Sequence, residues 1–142
     1  MKLKALGAAA LLSFLPYQAL AGPVTLNIDS VTGVWTSASG AAVGGLGTNQ
    51  ISWGTPLGAS QSSYVFDGVA PPTQGPFSAG DDFTLGTFTH NNFPITGSAI
   101  TGATLEVTIM GTAQNGSSEN FNLTSTFDFD HFETPNGANP CA

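Results

Sequence analysis

Hydrophobic and polar residues alternate with a period of two along much of the chain after residue 22. In the clearest run, Ala103, Leu105, Val107 and Ile109 alternate with Thr104, Glu106 and Thr108, giving one apolar and one mostly polar face. A second run, Phe121 to Phe129, sets Phe121, Leu123, Phe127 and Phe129 against Asn122, Thr124, Thr126, Asp128 and Asp130. Shorter strands are predicted over Pro23–Ile28, Val31–Thr36, Gln50–Trp53 and Ser63–Asp67, the first two separated by Asp29-Ser30. Over Phe83–His90, Phe83 and Leu85 share one parity while Phe88 and His90 take the other, so a β-bulge is predicted at Gly86.

Glycine and proline punctuate these runs. Ser37–Gly47 is too rich in glycine and alanine to predict regular structure, Gly54–Gly58 reads as a turn, and Pro71–Pro76 reads as a stiff loop. Gln114–Ser118 separates the two longest strands. Beyond the first residues no apolar stripe recurs at helical spacing. The prediction is an all-β chain, a two-sheet antiparallel β-sandwich that is jelly-roll-like, with a small β-barrel as the alternative.

Met1–Ala21 has a different pattern: Lys2 and Lys4, an apolar run from Ala5 to Leu15, then Ala19-Leu20-Ala21. This is the plan of a cleaved secretory signal, and its apolar run is well below the roughly 20 residues that cross a bilayer core. Residues 1–21 are therefore expected to be removed on export, leaving 22–142 as a single β-sandwich domain secreted or held at the cell surface, with no transmembrane segment of its own.

Removing the leader changes the charge balance, because Lys2 and Lys4 are the only Lys or Arg residues in the chain and nine acids remain. Nucleic-acid binding needs cations to neutralise phosphates, and nucleotide chemistry draws on the same side chains, so neither class of partner is expected. The apolar content, 41% with ten Phe, two Trp and two Tyr, suffices for a core and separates the chain from the disordered class.

Candidate chemistry is sparse. No Gly-x-Ser-x-Gly elbow, Ser-x-x-Lys or HExxH is present, and the one cysteine, Cys141, lies near the end of the chain, so the chain is not expected to be an enzyme. In an oxidising compartment Cys141 is expected to pair with a cysteine beyond residue 142. His90 has no second His or Cys at metal-ligand spacing, and its expected role is structural, bonding nearby backbone at a strand end while Asn91 and Asn92 form the turn. Trp35, Trp53 and Tyr64 are candidates for a sugar-stacking platform, against the ordinary role of strand aromatics as core. Asp128 and Asp130 share a strand face, and with Glu133 they are candidate oxygen ligands for Ca2+, a hard cation; Asp81 and Asp82 are the candidates from another loop.

One set of segments carries a family resemblance: the region around Val34-Trp35-Thr36, Ile51–Pro56, Ser63–Phe66 with Gly68, Leu85–Asn92 with Thr89-His90-Asn91-Asn92 at its heart, and Phe127–Asn136. In this order they resemble the Thr-His-x-Asn (THxN) family of secreted bacterial proteins, whose fuller members carry a PEP-CTERM sorting tail, and the related choice-of-anchor K domain. The resemblance implies an exported β-rich surface or matrix protein of bacteria that make exopolysaccharide, with undefined molecular activity. The sequence departs from that pattern at Pro140-Cys141-Ala142, where no sorting tail follows, so a domain incomplete at its C-terminus is expected. The functional expectation is an extracellular structural or interaction protein whose partners are polysaccharide, other surface proteins or copies of itself. A carbohydrate-binding module is the alternative, and an uncharacterised hydrolase the third.

Overall fold

A computed structural model describes residues 22–69 and 74–132 of the protein. Among these residues there is no helix, and strands account for 64% of the structure in antiparallel sheets that do not close into a barrel, an arrangement consistent with a β-sandwich. Ten strands follow in chain order: β1 Thr25–Ser39, β2 Val43–Gly44, β3 Gln50–Trp53, β4 Thr55–Pro56, β5 Ser62–Gly68, β6 Gln74–Phe77, β7 Gly86–Asn91, β8 Ile95–Thr96, β9 Gly102–Gln114 and β10 Ser118–Asp130. One sheet has the order β10-β9-β1-β6, the other β2-β3-β5-β7, and β4 pairs with β8 separately.

The two segments expected on either side of Asp29-Ser30 form one continuous strand. Two register irregularities in its pairing with β9 explain how: Ile28 pairs Gly111 and Ser30 pairs Met110, then Trp35 pairs Leu105 and Ser37 pairs Thr104. Each irregularity adds a residue to β1 and reverses its parity. Ile28, Val31 and Trp35 are consequently all buried, which strict alternation would forbid.

β9 and β10 form a hairpin around Asn115-Gly116-Ser117, in which Asn115 N–H donates to Ser117 O at 3.0 Å. Gly116 supplies the positive φ, 74°, that the turn needs. Their pairing runs without a bulge from Ser118↔Gln114 to Asp130↔Gly102.

Two further expectations are corrected. The bulge predicted at Gly86 is absent, because β7 begins there: a Cβ at Gly86 would lie 2.4 Å from Asp67 O, so a side chain cannot be accommodated where this strand meets the end of β5. Part of the loop expected over Pro71–Pro76 is strand β6, which lies at the edge of its sheet against β1. Proline is tolerated on an edge strand because no further strand needs its missing N–H.

The core lies between the sheets. Ile28, Val31, Trp35, Ala103, Leu105 and Val107 from β1 and β9 meet Ile51, Trp53, Tyr64 and Phe66 from β3 and β5, with Ile95 of β8 and Ile100 of the segment before β9 joining them. Close approach is enforced at Gly33, where a Cβ would stand 2.3 Å from Cδ1 of Phe66. The sheets are also stitched along the backbone: Trp35 N–H donates to Thr48 O at 2.9 Å, Gly47 N–H to Trp35 O at 2.8 Å, and Val31 N–H to Val69 O at 3.2 Å.

Candidate functional site

The residues that invite a functional reading converge on Tyr64, at the centre of β5. Antiparallel register places Ile51 of β3 on one side of it and His90 of β7 on the other. Trp35 arrives from the opposite sheet and stacks on the Tyr64 ring, with centroids 5.4 Å apart and planes inclined by 28°. Trp53, His90 and His131 meet Tyr64 edge to face at 5.0, 4.9 and 5.5 Å. Phe88 and Phe129 stack on each other at 5.2 Å and also contact Trp35 and Tyr64. Offset and edge-to-face aromatic pairs of this kind each add about 0.5–1.5 kcal/mol beyond burial.

Burial decides what the three proposed platform rings do. Trp35 is 0% exposed, Trp53 1% and Tyr64 5%, so none presents a flat face to solvent. They are core, and the expected platform is corrected accordingly. Trp35 Nε1 donates to Asn49 O at 3.1 Å. Trp53 Nε1 is buried without an acceptor.

His131 is the residue that the sequence reading missed. It is 6% exposed, its Nδ1 is hydrogen-bonded to Tyr64 Oη at 2.5 Å, and its backbone N–H donates to Thr101 O at 2.9 Å. Its ring also meets those of Trp53 and His90, at 5.2 and 5.3 Å. The signal was available in the alternation: the inward parity of Phe127 and Phe129 continues to 131. The contact joins the chain just after β10 to the sheet opposite, with 67 residues between the partners.

Thr89, His90 and Asn91 lie in β7 and Asn92 in the segment after it, so Asn91 is strand where a turn was expected. His90 is exposed at the rim of the cluster, with ring contacts to Trp53, Tyr64 and His131. Thr89 is exposed, Asn91 Nδ2 donates to Ser63 Oγ at 3.1 Å, and Asn92 lies just beyond the strand. Ser62 then fixes the following segment, its buried hydroxyl donating to Phe93 O at 3.0 Å and accepting from Phe93 N–H at 3.1 Å. The two buried serines are thus committed to structural hydrogen bonds.

The acidic candidates separate in space. Asp128 and Asp130 flank a depression of about 240 Å³ lined also by Ser37, Ser39 and Thr104, and Asp128 Oδ1 accepts from Thr104 Oγ1 at 2.7 Å. Asp81 and Asp82 border a different groove, and Asp81 Oδ2 accepts from Ser78 N–H at 2.6 Å in a local turn. Among the described residues no three His, Cys, Asp or Glu side chains gather as metal ligands. Glu133, Cys141 and the leader, residues 1–21, lie outside the described residues. Among the described residues no helix is long and apolar enough to cross a membrane.

No family model matches the chain, and no curated protein matches it.

Proposed function

We propose that the protein is an exported structural or interaction protein of the bacterial cell surface or extracellular matrix, acting through surfaces of its β-sandwich and not through catalysis. The observation that carries this reading is the burial of Trp35, Trp53, Tyr64 and His131 in one inter-sheet cluster. The aromatic and imidazole groups best suited to sugar stacking or acid–base work are engaged in packing there, and the buried serines are engaged with Phe93 and Asn91. The leader-like Met1–Ala21 and the resemblance to the THxN and choice-of-anchor proteins support the location. The near absence of basic side chains argues against nucleic-acid and nucleotide partners.

A glycan array on the exported protein tests this against the carbohydrate-binding alternative. The proposal expects no saturable binding. Saturable binding of a defined glycan would move the protein into the carbohydrate-binding class.

Calcium belongs to the same proposal, as a surface stabiliser held by Asp128, Asp130 and Glu133. Its support is the pair of carboxylates beside one depression, with no Lys or Arg among the described residues to neutralise them. Thermal melts decide it: Tm should rise at millimolar calcium and the rise should vanish in Asp128→Asn/Asp130→Asn. An unchanged Tm removes calcium from the account.

A further inference from the structure

The outer edge of β10 differs from the other sheet edges. At the far side of the same sheet, β6 spans only Gln74–Phe77 and contains Pro76; in the other sheet, β2 spans only Val43–Gly44. These two edges, and β7 (Gly86–Asn91) at the other side of that second sheet, are all less than half as long as β10, and short edges are one way β-proteins discourage strands from adding. β10 is 13 residues long, pairs with β9 without a bulge and contains no proline and no lysine; Glu119, near its start, is the one acid with the inward parity. No strand among the described residues lies on its outer side.

Its inward face is also incompletely covered. Leu123 is 57% exposed and Phe127 40%, although both have the parity of the buried side of the sheet. Phe127 lines, with Phe83, Leu85 and Ile109, a groove of about 290 Å³ that Asp81 and Asp82 border. An edge that no strand among the described residues pairs, next to uncovered apolar side chains, fits one kind of occupant, another strand with an apolar face.

We infer that this occupant is β10 of a second copy of the chain, paired antiparallel about a two-fold axis at Ser125 so that the two sheets become one. The inference deepens the interaction-protein reading and rests on it. Its support is the self-complementarity of the strand. Centred on Ser125, the pairing sets Phe127 opposite the second copy's Leu123 and Phe129 opposite the second copy's Phe121, joining the exposed apolar residues across the axis. Asp128 then faces Asn122 and Asp130 faces Asn120, so no carboxylate opposes another, and inward and outward faces are kept in step. A two-fold interface of this kind closes at the dimer.

Sedimentation velocity over a concentration series of the exported full chain tests the inference. A monomer–dimer equilibrium is expected, shifting toward dimer as salt screens the repulsion between two acidic chains. Leu123→Lys/Phe127→Lys should be monomeric with native circular dichroism, whereas Leu57→Lys, at a residue 63% exposed elsewhere, should dimerise like wild type. Independently, Ser125→Cys in a Cys141→Ala background should give a disulfide-linked dimer on oxidation. Directly opposed strand residues lie about 4.5–5.5 Å apart between Cα atoms, within disulfide reach. A single monomeric species at every concentration and salt, a dimer that survives the double lysine variant, or no cross-linking through Ser125→Cys overturns the inference. A monomer that is nonetheless exported leaves the surface-protein reading standing, while retention inside the cell defeats that reading instead.

Discussion

Two tryptophans with the same burial have different polar surroundings. Trp35 Nε1 has Asn49 O as its acceptor, and Trp53 Nε1 has none. Replacing each by Phe removes similar volume, but only Trp35→Phe also removes a hydrogen bond, leaving Asn49 O with the Phe66 N–H alone. Trp35→Phe should therefore cost about 1 kcal/mol more than Trp53→Phe in chemical denaturation. At this scale the sequence was least legible. It grouped Trp35, Trp53 and Tyr64 as a candidate surface platform and left His90 apart from them, because what unites the four is the stacking of one sheet on another. His131 was hidden for a different reason: the last strand was read as ending at Phe129, and the inward parity was not carried two residues further.

At the scale of elements, alternation served best where it was uninterrupted. Gln50–Trp53 is a strand over the predicted span, and the faces read for β9 and β10 are the faces observed. It served worst where the backbone changes parity, since the extra residues in β1 look in sequence like a break at Asp29-Ser30. Short β2, β4, β6 and β8 were not read, because they lie in stretches rich in glycine or proline with no alternation of their own and exist through their partners. Sheet spacing makes a sharper prediction. Gly33→Ala puts a methyl group into the Phe66 ring and should destabilise by about 1–3 kcal/mol. Gly58→Ala, with nothing within 4 Å of its would-be Cβ, should leave Tm nearly unchanged. Thermal melts of the two variants side by side check the difference.

Across the whole molecule, export and composition combine into one expectation. If signal cleavage follows Ala21, the secreted chain begins at Gly22 and contains no Lys or Arg, so trypsin should leave it intact even in denaturant. Intact-mass measurement after such a digest should return the full mature mass; a secreted chain that retains Met1 contradicts cleavage. The fold itself depends on contacts distant in sequence, with Tyr64 as the meeting point of β1, β3, β7 and the segment that follows β10. The central claim is that this cluster exists to hold the sheets together. Its most direct test is urea unfolding of Tyr64→Phe, which keeps the ring and removes the hydroxyl bonded to buried His131. The variant should fold natively and lose about 0.5–1.5 kcal/mol of unfolding free energy, the net contribution of a hydrogen bond such as the one its hydroxyl makes to His131. A variant as stable as wild type would contradict the claim.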